Sequence, residues 1–305
     1  MLRDFSVIPE QRHILNSENS MFYLIDKPLG ISSFDVIRRL RKLLNIKKMG
    51  HAGTLDPLAT GVILIATEKN TKLLHLLDNC DKEYIFTIRF DGKTDSMDLG
   101  TPIQSVDTGN YIEKSDAEIC RFVLSQKTQI PPKYSALHID WERAYILARA
   151  GETFELRERA IQVKDVEVLG RTHHSIELRM VLSSWWYVRS FAPLLWRFLW
   201  VEWGYITMLR RTKIVTPYSI LSLSNSSPIE NPIPIRYEDI FTWVPIKDVD
   251  IETIEFLKVW KNILSSSDID SEKWSLVFFR NSTLWYHSLI KYDNGIYSIV
   301  RNDVA

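Results

Sequence analysis

The apolar and polar positions of this chain change period several times, and each change marks an element. Phe22-Tyr-Leu-Ile25 is a short apolar run stopped by Asp26-Lys27-Pro28-Leu29-Gly30, which predicts a strand ending in a turn. Ser32 or Ser33 can then cap a helix. Val36, Ile37, Leu40, Leu43 and Leu44 recur at helical spacing along it, with Arg38, Arg39, Arg41 and Lys42 opposite. Residues 50–61, with three glycines and one proline, read as a loop leading into an apolar strand, Val62–Ala66. Tyr84-Ile-Phe-Thr-Ile-Arg-Phe90 alternates with period two, as does Ile176, Leu178, Met180 and Leu182, so both predict half-buried strands. Ser115-Asp-Ala-Glu118 is a capping-box pattern opening a helix to about Ser125. Pro131-Pro132 starts an irregular segment reaching about residue 160. Residues 225–256 are Pro-containing and acidic, the far edge of a first domain and a linker. The last fifty or so residues alternate short strand candidates with turns such as Asp293-Asn294-Gly295. Residues 1–20 read as a polar arm.

Composition narrows the class. The chain has 305 residues, 45% of them hydrophobic, enough for one large domain and a small one. Cys80 and Cys120 are isolated, which disfavours a thiolate zinc site and suits a reducing cytoplasm. The apolar stretch from Phe191 to Trp203 is broken by Arg197 and Glu202 and is too short to span a bilayer. Charge balances at 38 basic and 38 acidic side chains, but unevenly along the chain. Seven basic residues and one acid lie between Lys27 and Lys48. Arg189, Arg197, Arg210, Arg211 and Lys213 form a second run, so a basic groove offset by an acidic linker is expected.

The chemistry concentrates in Gly50-His51-Ala-Gly-Thr-Leu-Asp56-Pro57-Leu-Ala-Thr-Gly61. It lacks the G-K-[ST] ending of a phosphate-binding loop, and no G-x-G-x-x-G follows a strand, so nucleotide hydrolysis and dinucleotide binding are disfavoured. It does hold a carboxylate in a constrained turn: Pro57 biases Asp56 away from helical geometry, and the glycines permit close approach of a ligand. On spacing alone, the simpler reading is that Asp56 only caps that turn. His51 could be a locally bonded side chain, and adjacent His173 and His174, read as lying on opposite strand faces, have no metal spacing.

With Lys27-Pro28-Leu29-Gly30 before it and Asp81-Lys82-Glu83-Tyr84 after it, this segment resembles the bacterial TruB family of tRNA pseudouridine-55 synthases. Gly92-Lys-Thr-Asp-Ser-Met-Asp98, Ile130-Pro-Pro-Lys133-Tyr134-Ser-Ala-Leu137, Tyr187-Val-Arg189-Ser190 and Leu209-Arg-Arg-Thr212 extend the likeness over about residues 20–220. The resemblance implies a mixed α/β (α+β) fold: a pseudouridine-synthase catalytic domain on a mostly antiparallel sheet over residues 21–245, with an RNA-clamping insertion at 130–160. A small β-rich PUA-like domain over 250–305 would follow. It implies isomerisation of uridine 55 in the tRNA T-loop, without cofactor or metal, by a cytoplasmic monomer whose partner is the T-arm. Asp56 would be the catalytic carboxylate, and Arg189 its cation, holding its pKa low. Tyr84 would stack on the uracil, and His51 would fill the space of the flipped base. Tyr187, Leu209, Lys27 and Lys133 would contact the RNA. A noncatalytic RNA-binding protein on the same scaffold is the nearest alternative. A glycosidase using Asp56 is more distant, since the motif offers no second carboxylate.

One feature departs from that family. The chain has 11 Gly against 10 Trp, where about 21 Gly would be ordinary. Every Trp lies from Trp141 onward. The resemblance implies glycine at Trp141, Trp185, Trp196, Trp200 and Trp203, and tight turns at Trp260 and Trp285; Trp186 adjoins this set. Three explanations stand at the level of sequence: compensated packing, a decayed homologue, or UGA codons that the cell reads as glycine.

Overall fold

The computed structural model describes residues 20–77, 79–106, 114–135, 137–139, 141–201, 203–216, 219–235, 237–242, 246–248, 262–264, 276–281, 286–293 and 296–302. The N-terminal arm, Trp260, Trp285 and the turn at 294–295 lie outside these residues.

A nine-stranded sheet organises the chain. Its strands are β1 (Phe22–Lys27), β2 (Met49–Ala52), β3 (Thr60–Thr67), β4 (Asp81–Arg89), β5 (Val163–Thr172), β6 (Ser175–Leu182), β7 (Tyr205–Val215), β8 (Ile220–Ser222) and β9 (Pro234–Ile235). The order is β5-β6-β4-β7-β3-β1-β9, with β2 pairing β3 and β8 pairing β7. Its named strands pair antiparallel except β7 with β3, which run parallel through Arg210↔Thr60 and Arg211↔Gly61. The mostly antiparallel sheet expected above is thus borne out.

Burial explains the two sequence patterns. One face of the sheet packs Tyr23, Ile25, Ile63, Ile65, Phe86 and Ile88 against helices, while the other packs Phe22, Leu24, Val62, Leu64 and Ala66 against a 3-10 turn segment, Glu68–Leu77. β1 and β3 are therefore covered on both sides and read as continuous apolar runs, whereas β6 buries alternate residues. The helices on the first face are α1 (Ser33–Leu44), α2 (Asp116–Leu124) and α4 (Phe191–Leu199). A further helix, α3, spans Ala144–Ala150. Ser32 caps α1 and Ser115 caps α2, each through a reciprocal capping box with Asp35 or Glu118.

Several expectations need correction. Residues 50–52 belong to β2 and are not loop, because the β2–β3 hairpin pairs Gly50 with Ala66 and His51 with Ile65. The 130–160 segment is not irregular: it holds a small hairpin, His138–Ile139 with Glu142–Arg143, then α3. His173 and His174 are not on a strand; they form the two-residue turn joining Thr172 of β5 to Ser175 of β6. The acidic stretch does start as the sheet's far edge, since β9 pairs with Phe22 and Tyr23 of β1.

Five strands form a second sheet: β10 (Ile246–Asp248), β11 (Asn262–Leu264), β12 (Leu276–Asn281), β13 (Tyr286–Asp293) and β14 (Ile296–Asn302), in the order β10-β12-β13-β14-β11. Among the described residues no helix is long and apolar enough to cross a membrane.

Candidate active site

The Asp56 turn is pinned from both sides before its carboxylate meets anything. Ser33, in the first turn of α1, brackets Leu55: its Oγ accepts from the Leu55 N–H at 2.8 Å and donates to the Leu55 carbonyl at 3.0 Å. On the other side the Pro57 carbonyl accepts from the Gly30 N–H at 2.9 Å and from Lys27 Nζ at 3.4 Å. Lys27 also donates to Pro28 at 3.0 Å and to Ile31 at 2.7 Å. The turn closes on itself through the Ala59 N–H and the Asp56 carbonyl, 3.0 Å apart. The Lys-Pro-Leu-Gly motif is thus the mould of the loop. Lys27 is wholly buried, so the expectation that it touches RNA is corrected: its ammonium is consumed by loop carbonyls. Burial, partly opposed by Asp56, brings its pKa down to about 8.

Arg189 reaches this carboxylate from a distant part of the chain. A 3-10 turn, Val188–Ser190, leads into α4 and points the guanidinium inward, where its side chain is 5% exposed. Its Nη2 lies 2.9 Å from Asp56 Oδ2, and its Nε lies 3.5 Å from Asp98 Oδ2. The carbonyls of Tyr134 (2.8 Å) and Ser96 (3.3 Å) accept its remaining bonds. One cation thus gathers the Asp56 loop, the Ser96–Asp98 turn and the insertion.

Arg189 acts on Asp56 in the expected direction, but the net shift is the opposite of the one expected. Burial pushes the Asp56 carboxyl above the ordinary carboxylate range; Arg189 pulls it down, Asp98 adds to the rise and Lys27 opposes it, and the rise prevails. Asp98 was not singled out beforehand, although it lies within the quoted Gly92–Asp98 segment. Sequence offered no sign that two carboxylates would share one arginine.

Two adjoining cavities open over this group. One, of about 270 Å³, is lined by Asp56, Tyr84, Tyr187, Arg189 and Leu209 together with Leu137 and Arg143 of the insertion. The other, of about 350 Å³, is lined by His51, Lys82, Tyr84, Tyr187 and Arg211. Trp185 lines both. Burial, with Arg211 nearby, pushes the His51 imidazole below its usual pKa, so it stands neutral at physiological pH. Six of the eight predicted site residues therefore converge. Lys133 is exposed and lines a separate cleft beside α4, and Lys27 lies beneath the loop. Arg159 was missed: its guanidinium lies 4.8 Å over the Tyr187 ring, and the Tyr187 N–H donates to Gln129 at 3.0 Å.

The sheet that carries this half-exposed carboxylate and its buried arginine has counterparts of the same fold among solved structures. Among solved structures, the Nop10-Cbf5 complex of an archaeal box H/ACA sRNP matches with a TM-score of 0.59 at 17% identity, over 98% of this chain and 89% of that one. A Cbf5-Nop10-Gar1 complex matches with a TM-score of 0.57 at 19% identity, over 93% and 80%. These likenesses concern the fold. Residues 41–188 match the model of the TruB family pseudouridylate synthase N-terminal domain. Proteins named tRNA pseudouridine synthase B are similar in sequence: 39% identical in Rhodococcus jostii over 63% of this chain, 41% in Paracoccus denitrificans over 62%, and 36% in Thermobifida fusca over 65%. The matched part spans 64%, 63% and 70% of those relatives' own lengths. The chain belongs to the TruB family.

Proposed function

We propose that this chain isomerises uridine 55 in the T-loop of tRNA to pseudouridine, with Asp56 as the catalytic carboxylate. The observation that carries the reading is the Asp56–Arg189 pair at 2.9 Å, set under a cavity that an aromatic wall of Tyr84 and Tyr187 shares. The reaction breaks the C1′–N1 bond of a uridine and forms a C1′–C5 bond. The C5 proton leaves and N1 gains one, so atoms and electrons balance without oxidant or group donor. A carboxylate beside C1′ supports the glycosyl centre as positive charge develops there. Arg189 keeps that carboxylate placed beside the sugar. The Tyr84 ring offers a stacking surface on which a detached uracil turns in its plane without losing contact.

Access requires the nucleotide to leave its stack, and His51, neutral on β2 at the rim, is placed to occupy the vacated space. Tyr187 and Leu209 bound the extruded base. The insertion, through Leu137, Arg143 and Tyr134, closes over it, and exposed Lys133 meets backbone phosphate. The sheet over residues 246–302 is a further RNA contact on this reading. The names of the similar proteins support tRNA as substrate.

Tritium release from a tRNA transcript labelled at uridine C5 tests the proposal. Release by the intact chain, abolished by Asp56→Asn, is expected. Release that survives Asp56→Asn would remove Asp56 from the chemistry, and tRNA binding without any release would leave a binding protein.

A further inference from the structure

Six tryptophans fall within the described residues, and the backbone divides them into two groups. Trp141, Trp185 and Trp200 have φ of +79°, +70° and +60°. That region brings Cβ against the following carbonyl oxygen; glycine enters it freely and a bulky side chain rarely does. Among the described residues four glycines, Gly30, Gly53, Gly61 and Gly151, also have positive φ, as do Asn45, Glu68 and Met97. Packing does not compensate the three indoles, which are 100%, 66% and 70% exposed in the same order.

The remaining three have no positive φ and make ring contacts, although the buried Trp186 indole N–H has no hydrogen-bond partner among the described residues. Trp186 is buried and packs on Phe191 at 5.9 Å. Trp196 and Trp203 lie 5.8 Å apart, with the Lys93 ammonium 4.7 Å over the Trp203 ring.

Local geometry shows what the first group replaces. α3 ends at Gly151, whose N–H bonds back to Ala148, while the Glu152 N–H closes on Leu147 at 3.0 Å. α4 ends at Trp200 in the same manner: its N–H bonds back to Arg197, and the Val201 N–H closes on Trp196 at 3.0 Å. This closure favours glycine at the left-handed position. Trp141 is the second residue of a two-residue connection between paired strands, since Ile139 faces Glu142, and it follows Asp140. Aspartate followed by glycine is a favoured pair at such a turn. Trp185 leaves β6 just before the Tyr187–Arg189 segment, at the rim of both cavities.

We infer that positions 141, 185 and 200 are glycine positions, and that the polypeptide made in its own cell carries glycine at all three, from UGA codons read as glycine. Random decay does not give this pattern. It would strike Asp56, Tyr84 and Arg189 as readily as turn residues, and those three remain assembled around one cavity. Compensated packing fails on exposure. The set is also narrower than sequence suggested: Trp186, Trp196 and Trp203 have contacts that account for them. For the site the consequence is an open rim, because an indole at 185 projects where a flipped nucleotide would enter. This last step rests on the proposed function.

Peptide mapping by mass spectrometry of the protein from its native cells, with the codons read in parallel, decides the matter. Glycine at the three positions over UGA is expected; tryptophan there, or UGG codons, overturns the inference, and neither result depends on activity. In recombinant chain, Trp141→Gly and Trp200→Gly should each raise the melting temperature by roughly 2–4 °C. A fall with either would overturn the steric argument. Trp185→Gly should raise tritium release roughly tenfold or more. Unchanged release beside confirmed glycine would overturn the open-rim step alone and leave the glycine assignment standing.

Discussion

Asp56 stands between two carboxylate-shifting environments, and the residues that tune it are separable. Asp98 competes for Arg189 and raises the Asp56 pKa, while Lys27 lowers it from beneath the loop. A carboxyl whose folded pKa is raised favours folding fully below its unfolded pKa of about 4, and that contribution is lost as pH rises through the folded pKa. Ionised Asp56 is therefore a local cost to stability that the proposed reaction requires. The acid limb of single-turnover isomerisation should accordingly lie above the ordinary carboxylate range. Asp98→Asn should move that limb to lower pH by removing the like charge, and Lys27→Met should move it higher by removing a cation. Shifts of the same sign in both variants, read from pH–rate profiles, would contradict this account. At this scale the Asp56 loop was legible in sequence because its constraints are local: a proline, three glycines and a preceding turn. Asp98 was not, because its partner is Arg189, far along the chain, and no periodicity reports a shared counter-ion.

At the scale of elements, legibility followed burial. β1 and β3 showed as apolar runs because both faces are covered, and β4 and β6 alternated because they bury chiefly one. β7 escaped notice although it lies at the centre of the sheet. Its middle is Arg210-Arg211-Thr212-Lys213, and Arg211 is buried with Nε donating to Val62 at 2.7 Å and Nη2 to Gly53 at 3.1 Å. Two register shifts against β4 further break its period. α4 was hidden in a dense apolar stretch in which Arg197 is the helix's one charged residue, too little to set a phase. The parallel contact of β7 with β3 makes Gly61 indispensable: its φ is +105°, and a Cβ there would sit 2.0 Å from the Arg211 carbonyl oxygen. Gly61→Ala should cost about 3 kcal/mol or more, since backbone must separate where the ladder holds it. Gly151→Ala, also at positive φ but with open space around it, should cost about 1 kcal/mol. Urea unfolding of the two variants checks the contrast, and equal losses would show that close approach at Gly61 is not the determinant.

Over the whole molecule, charge that cancels in total is unevenly distributed along the chain. Arg39 and Lys42 stand exposed on α1, whose first turn holds Ser33 against the Asp56 loop, so the same helix that fixes the site also carries cations beside it. Arg210, paired with Asp26 at 2.7 Å, continues the basic character along β7. RNA binding through phosphates releases counter-ions, so affinity falls linearly in log salt with a slope set by the number of contacts. If α1 lies along the RNA, the double substitution Arg39→Gln and Lys42→Gln should lower the magnitude of that slope by about 1 to 2 and weaken every tRNA sequence alike. The melting temperature should hold, because both side chains point to solvent away from Val36, Ile37 and Leu40. Filter-binding titrations of tRNA across a salt series give the slope directly. An unchanged slope would place the phosphate track elsewhere, leaving exposed Lys133 and the cleft beside α4 to carry it. Neutral net charge would then reflect an ordinary solvated helix face instead of a basic groove balanced by the acidic stretch beyond residue 225.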